Sequence, residues 1–261
     1  MIAEMLKAVF IDVDGTLLSH TSNSVPESTK IALRKLREQG IKVVMSTGRP
    51  MPFLSLLPIE DVEFDAFITL NGQICFDQNM KMLFGHPFEE KDRKKLEQIF
   101  NDKKVAFTLV EEDTLYDNVH TEQEAEALDA IHTPLPPIKE YSGKAIYQSI
   151  IYVDKAHEKE IRDFMTDTNI TRWSPGGIDI VRLGGGKKAA ISEYLNLMQI
   201  DPKDTMAFGD GENDIGMLQF CGIGVAMGNA EEAVKEAADV VTDHIDEDGI
   251  YNYLKKHGYI Q

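Results

Sequence analysis

Residues 7–16 read KAVFIDVDGT. After Lys7 the run is short, β-branched or aromatic, and apolar on both faces, the pattern of a strand buried inside a parallel sheet. It stops abruptly on Asp12-Val13-Asp14-Gly15-Thr16. Two carboxylates two residues apart repel each other unless a cation or a proton lies between them. Oxygen ligands of this kind suit a hard ion such as Mg2+, and Gly15 permits a tight turn. A turn leading into a helix cap is the competing reading of these five residues alone. A calcium-binding helix–loop–helix is excluded, because the glycine is misplaced and the twelfth loop position is Asn23 rather than Glu.

Working outward, a helix follows, with Ser24 and Glu27 in capping-box spacing, Thr29, Ala32, Leu33 and Leu36 on one face, and Gly40 at its end. IKVVMS (41–46) is a second buried-type strand and stops at Thr47-Gly48-Arg49-Pro50; AFITL (66–70) is a third and stops at Asn71-Gly72. Strand, helix and strand at this spacing predict right-handed βαβ units and a parallel sheet. The texture changes near residue 80. A charged helix (89–103), strands of alternating character (105–111 and 145–153) and a proline-rich TPLPP (133–137) predict an antiparallel sheet with helices on one face. The βα rhythm returns with a helix at 187–198, a strand at 205–208 ending in GDGEND (209–214), a strand at 222–227, a helix at 231–238 and a strand at 239–242. The expected architecture is α/β: a Rossmann-like parallel-sheet core from 1–80 and 184–261, with an α+β domain, 81–183, inserted as a cap.

The 261 residues, 43% hydrophobic and 27% charged, suit a folded chain with a substantial core. The formal charge of −17 argues against a nucleic-acid or anionic-membrane partner. An anionic ligand would then need local positive charge from a metal, a lysine or backbone N–H groups. No stretch approaches 18 unbroken apolar residues, so no membrane span is expected. The opening MIAEMLKAVFIDVDG carries an acid and runs straight into a strand, which is no signal peptide, and the expectation is a cytoplasmic protein. Cys75 and Cys221 sit among apolar or small residues and outside any C-x-x-C pattern, as buried free thiols do.

In open parallel sheets ligands bind beyond the carboxyl ends of the strands. Four predicted strands end in polar clusters at 12–16, 47–49, 71–72 and 209–214, so these clusters are expected to converge in one crevice. Asp210 and Asp214 supply a second acidic pair on a glycine-rich loop. Thr47 and the N–H of Gly48 are candidates for a phosphate oxygen. Lys187, in GGGKK at a helix start, lies where the helix dipole favours an anion. This is no P-loop: Val181 stands where a glycine is required and Lys188 where Ser or Thr is required. Taken alone, Lys187 reads better as a solvated helix-start lysine.

DVDGT (12–16), STGR (46–49), Lys187 and GDGEND (209–214), in this order, resemble the four motifs of the haloacid dehalogenase-like superfamily. Together with Asn71-Gly72, the insert of roughly a hundred residues and the tail GVAMGNA to DEDGI (224–250), the set resembles its Cof-type sugar-phosphatase branch with a type IIB cap. The resemblance covers nearly the whole chain and is weakest in the cap. It implies Asp12 as the nucleophile that forms an aspartyl-phosphate, and Asp14 as the acid and then base. Thr47, Gly48, Lys187 and Asn213 would hold the phosphoryl group, with Asn213 touching phosphate or anchoring Lys187. Mg2+ would be held by Asp12, the Asp14 backbone carbonyl and Asp210, with Asp214 behind them. Asp14 favours phosphate esters over carbon–halogen bonds, whose leaving group needs no acid. The implied ligand is a small phosphorylated metabolite, foremost a hexose phosphate, and otherwise pyridoxal phosphate, FMN or a nucleotide. A phosphosugar-binding regulator is the non-enzymatic reading, and a monomer or weak homodimer the expected state. Asn71, Arg49 and Arg172 are the candidate substrate contacts, with Asp179, His120 and Glu122 also in view, and Trp173 is expected in the core.

Overall fold

The structure, a computed structural model, describes residues 6–59 and 61–261. Residues 1–5, part of the segment read above as no signal peptide, lie outside the described residues. The deciding stretch forms β1, Ala8–Ile11, buried at every position. There follow α1 (Glu27–Glu38), β2 (Lys42–Ser46), α2 (Met51–Leu54), β3 (Ala66–Thr69), β4 (Ile74–Asp77) and β5 (Met82–Gly85). The inserted region supplies α3 (Glu90–Asp102), β6 (Phe107–Val110), β7 (Leu115–Asp117), α4 (Glu122–Asp129), β8 (Gln148–Ile151), α5 (Glu158–Phe164), β9 (Thr168–Ser174) and β10 (Gly177–Arg182). The chain returns through α6 (Lys187–Met198), β11 (Thr205–Gly209), α7 (Ile215–Phe220), β12 (Ile223–Ala226), α8 (Glu232–Ala237), β13 (Val240–Val241) and α9 (Gly249–Lys256).

The first sheet has eight strands in the order β13-β12-β11-β1-β2-β3-β4-β5. It is parallel from β13 to β3 and antiparallel at β4 and β5. Successive side chains of β1 go to opposite faces, as strand geometry requires. Val9 and Ile11 pack in the cluster that holds Leu33 and Leu36 of α1 and Leu254 of α9. Ala8 and Phe10 pack with Ile191 and Tyr194 of α6 and Leu218 of α7. Helices therefore cover both faces. Chain order runs outward from β1 on one side and from β11 on the other, so the reversal of strand order falls between these two neighbours, where such sheets place their ligand crevice.

The second sheet has five antiparallel strands, β7-β6-β8-β10-β9. One face packs on α3: Phe107, Leu109, Ile151, Ile178 and Ile180 meet Leu96 and Phe100. The other face carries a cross-strand row of Asp117, Thr108, Ile150, Asp179 and Thr171. Helix α4 covers part of this face through Ala127 and Leu128 against Ile150 and Tyr152.

Three readings are corrected. The division expected at residue 80 moves past Gly85, because β5 is hydrogen-bonded to β4 and extends the first sheet. The Ser24–Glu27 capping box does not form: Pro26 occupies the N-cap of α1 without a side-chain hydrogen bond, and Ser24 pairs with Ser22 instead. A capping box is built at α4, where Thr121 and Glu124 exchange bonds. Trp173 is half-buried and lies edge-on to Tyr152, with its indole N–H unpaired. Cys75 and Cys221 are buried free thiols, each pushed up to about 12 chiefly by burial. Among the described residues no helix is long and apolar enough to cross a membrane.

Candidate active site

The crevice forms because β1, β2, β3 and β11 all terminate on the same edge. Asp12 follows β1 directly, and its N–H donates to the Phe208 carbonyl of the neighbouring β11 at 3.1 Å. Gly209 ends β11 and hands over to Asp210. Among the described residues, Asp12, Asp210 and Asp214 each bring a carboxylate oxygen within 4.8 Å of the others. Gly15 is the hinge of this approach. Its φ is +78°, and an added Cβ would lie 2.2 Å from Asp210 Oδ2, so only glycine lets the two loops meet.

Lys187 opens α6 and is fully buried among these acids. Its ammonium donates to Asp12 Oδ1 at 2.5 Å and to Asp214 Oδ1 at 2.6 Å. Burial opposes its charge, but the Asp12 and Asp214 carboxylates outweigh burial and hold its pKa above the ordinary value. The solvated-lysine reading therefore falls. Burial pushes Asp12 well above the usual carboxylate range, with Asp214 adding to the shift and Lys187 opposing it. Asp210 is pushed up to about 7, again by burial first and Asp214 second. The three carboxylates and one ammonium leave two negative charges in a buried place, which a divalent cation balances.

The oxygens divide the acids by role. Both oxygens of Asp214 are committed, Oδ1 to Lys187 and Oδ2 to the N–H groups of Asp210 and Gly211 at 3.0 Å each. Asp210 Oδ1 accepts from Thr16 at 2.7 Å, while Asn229 bonds the Gly15 carbonyl at 2.7 Å and stands 3.4 Å from Asp210 Oδ2. These contacts hold the Asp12 and Asp210 carboxylates in an all-oxygen donor set of the kind that suits a hard divalent cation. Thr16 and Asn229 lie within the motifs quoted above, but reading the sequence gives neither of them a role. The signal for both is a polar residue at a strand end.

Asp14 turns away from the acidic trio. Its carboxylate takes a bidentate pair from Arg49, with Nε and Nη2 each at 2.7 Å, and His20 stands 3.7 Å away. Arg49 is buried and also donates to Thr133 Oγ1 at 2.8 Å and the Ile131 carbonyl at 3.1 Å, both in the inserted domain. Thr47 is buried and accepts from the Arg49 N–H at 3.0 Å, fixing the turn that carries Gly48. Asn213 donates to Asn71 Oδ1 at 2.9 Å, and Asn71 donates to Asp179 Oδ2 at 2.7 Å. Asn213 therefore anchors Asn71 rather than Lys187. Leu70 and Asn71 hold φ values of 55° and 51°, a strained pair of residues at this junction.

Arg172, expected as a substrate contact, lines the cavity between the two sheets, but its guanidinium is occupied by protein partners. It bonds Glu158 at 2.8 Å and the carbonyls of Val153, Ser174 and Pro175 between 2.9 and 3.1 Å. His120 and Glu122 lie outside the walls of the crevice. Between the two sheets is a cavity of about 590 Å³, with Asp12, Asp14 and Asp210 at its floor and Leu128, Trp173 and Asp179 in its walls.

A family profile for haloacid dehalogenase-like hydrolases matches residues 9–254. YkrA of Bacillus subtilis, a provisionally assigned phosphatase, is 33% identical across 98% of this chain and 99% of its own. YcsE of the same organism, named as a 5-amino-6-(5-phospho-D-ribitylamino)uracil phosphatase, is 29% identical across 96% of this chain and 95% of its own. The solved structure of BT4131, described as a subclass IIB sugar phosphatase, superposes with a TM-score of 0.89 at 33% identity, covering 97% of this chain and all of BT4131.

Proposed function

This chain belongs to the haloacid dehalogenase-like hydrolases and is a phosphatase of the Cof-type branch, and from that premise we propose that it hydrolyses the phosphate ester of a small polyol, foremost a sugar phosphate, with Mg2+. The observation that carries this reading is the meeting of Asp12, Asp210, Asp214 and Lys187 at the floor of a capped cavity.

In this reading the free oxygen of Asp12 attacks phosphorus. A phosphorus–oxygen bond forms to Asp12, and the one to the leaving alcohol breaks. Asp14 in its protonated form, which is not the form paired with Arg49 here, gives its proton to the departing oxygen. It then takes a proton from the water that cleaves the aspartyl-phosphate and returns free Asp12 and inorganic phosphate. Covalent catalysis of this kind divides one difficult displacement into two easier ones. Lys187, held rigid by two carboxylates, faces the phosphoryl oxygens, with the Thr47–Gly48 turn beside it. Thr16, Asn229 and the N–H groups bound to Asp214 keep the acidic loops from rearranging as charge moves. Bound between Asp12 and Asp210, Mg2+ would supply charge neutralisation of the phosphoryl oxygens.

The leaving group is read by the inserted domain. Its cavity wall sets the apolar Leu128, Ile131 and Trp173 beside the polar Gln148 and Asp179. A polyhydroxylated chain presents both C–H faces and hydroxyls and matches this mixture. Sugar phosphates and ribityl phosphates, which the names of BT4131 and YcsE specify for those proteins, share that chemistry. A panel of hexose, pentose and ribityl phosphates, pyridoxal phosphate, FMN and nucleotides, ranked by kcat/KM with Mg2+, tests the reading. Polyol phosphates should lead, turnover should vanish with EDTA and return with Mg2+, and Asp12→Asn should be inert. A leading rank for nucleotides would reject the polyol. Substantial turnover by Asp12→Asn would reject the mechanism, and binding without turnover would make the chain a sensor.

A further inference from the structure

We propose that Arg172 is a positioning residue for substrate selection: it holds residues 173–175 in the cavity wall, and through them it sets how the leaving group is gripped. The inference rests on the reading of this cavity as the place where a phosphate ester is hydrolysed. It adds which residues of the inserted domain discriminate among esters.

Residues 173–175 lie where β9 turns into β10, and the pairing there is irregular. Ser174 pairs with Gly177 and Arg172 pairs with Ile178, so β10 passes over Trp173. A bulge of this kind bends a strand and re-aims a side chain. The bulged residue is the one tryptophan of the chain. Its ring lies against Gly177, where an added Cβ would stand 2.5 Å away, and edge-on to Tyr152 at 6.4 Å between centroids. Trp173, Ser174 and Pro175 follow one another in the cavity wall. Strand β9 also approaches the Glu212–Asp214 turn of the first domain, which brings Glu212 and Asn213 to the same cavity.

Arg172 ties this segment down, and all three of its guanidinium nitrogens are bonded. Nη1 donates to the Ser174 and Pro175 carbonyls at 2.9 Å each. Nη1 and Nη2 both reach the Val153 carbonyl, just beyond β8, at 3.1 Å. Nε donates to Glu158 of α5 at 2.8 Å. Burial opposes the charge of Glu158, but Arg172 and Arg162 outweigh burial and keep its pKa below the ordinary value. One planar group thus joins the wall segment, the end of β8 and α5. A structural ion pair needs Glu158 alone. The Ser174 and Pro175 carbonyls belong to the two residues that follow Trp173, and holding them fixes the course of the wall. A guanidinium committed in this way shapes the wall rather than meeting the ligand.

The test uses the full chain with Mg2+ and compares two substrates. One is the ester that ranks first by kcat/KM for wild type, whatever its class, so a first rank for a nucleotide rejects the polyol reading and leaves this comparison intact. The other is acetyl phosphate, whose small leaving group offers the wall little to hold. In Arg172→Met the ratio of the two kcat/KM values should fall about tenfold, mostly through KM for the larger ester, as when binding rather than the chemical step is damaged. Arg172→Lys should fall nearly as far, because an ammonium can keep Glu158 but cannot also reach the three carbonyls. In both variants the emission of Trp173 should move to longer wavelength and open to acrylamide quenching. Trp173→Ala should lower the ratio by a similar factor, and adding Arg172→Met to it should cost about twofold or less, since the two changes act through one contact. A ratio that keeps its wild-type value in Arg172→Met or Arg172→Lys would make Arg172 a structural ion pair and overturn the proposal, whatever the emission does. A fallen ratio with unchanged emission, or full additivity with Trp173→Ala, would mean that Arg172 meets the substrate itself and would overturn it as well.

Discussion

Asp179→Asn converts a buried carboxyl into an amide of the same shape, and its effect should depend on pH in a defined direction. Asp179 sits on β10 facing Asn71, and burial pushes it from 3.8 up to about 7, with the Asn71 hydrogen bond and Lys187 opposing. In the unfolded chain the same carboxyl ionises near 3.8. Below that value both states hold the proton and folding feels no penalty. Between about 4 and 7 the unfolded chain releases its proton while the folded chain keeps it, so this residue's contribution to stability declines as pH rises. Above about 7 both states are ionised and the penalty levels off at about 4 kcal/mol, taking 1.36 kcal/mol per unit of pKa difference. Between pH 5 and 7.5 the change is about 2–3 kcal/mol on the same relation. The amide of the variant does not titrate, so the gap in thermal midpoint, variant minus wild type, should widen across this range by roughly 5–10 °C for a chain of this size. The difference cancels the other titrating groups, which the two proteins share. Melts at constant ionic strength and saturating Mg2+, without substrate, measure it. A gap that stays flat from pH 5 to 7.5, or narrows, would show that Asp179 ionises normally and that burial does not control it.

Two further substitutions probe the loops. Gly15→Ala places a Cβ against Asp210 Oδ2 at a φ that costs a residue with a side chain about 1–2 kcal/mol. Far-ultraviolet circular dichroism should stay native while the Mg2+ concentration for half-maximal turnover rises at least tenfold; an unchanged Mg2+ dependence would contradict the close approach of the two loops. Arg49→Met removes the bidentate hold on Asp14 and both bonds to the inserted domain, the latter a loss of about 1–3 kcal/mol of contact between the two domains. The expected fall in kcat/KM for a polyol phosphate is at least tenfold, and Arg49→Lys should not restore it, because one ammonium cannot span Asp14, Thr133 and Ile131 together. A fully active Arg49→Lys would show that the charge alone matters.

What was legible in the sequence follows from where the determining forces act. Buried parallel strands are apolar on both faces, so residues 8–11, 42–46, 66–69 and 205–209 announce themselves within a few positions, and the acids that follow them mark the crevice. Lys187 announces nothing locally. Its two carboxylate partners are 175 and 27 positions away, and only the order of the four motifs placed it. The inserted domain defeats local reading for a related reason. Arg172 and Arg49 are both arginines next to polar segments. Whether a guanidinium is free depends on Glu158 in one case and Asp14 in the other, contacts made across the fold.

The cap sheet still carried a signal, in the alternation of Ile178, Asp179 and Ile180 on β10. The two isoleucines pack on the α3 side, which leaves a carboxylate on the opposite face. An alternating strand ordinarily turns its polar face to water. Here that face is buried, because it looks partly at α4 and partly at the cavity above Asp12. A polar residue in such a row therefore answers to another side chain or to the cavity rather than to bulk solvent. Asp179 lines the cavity and Asp117 stands at the β7 edge of the row, with Thr108 and Ile150 between them. One sheet face thus serves as a helix contact at one part and a cavity wall at another, which is why its polar residues are buried although the strand alternates.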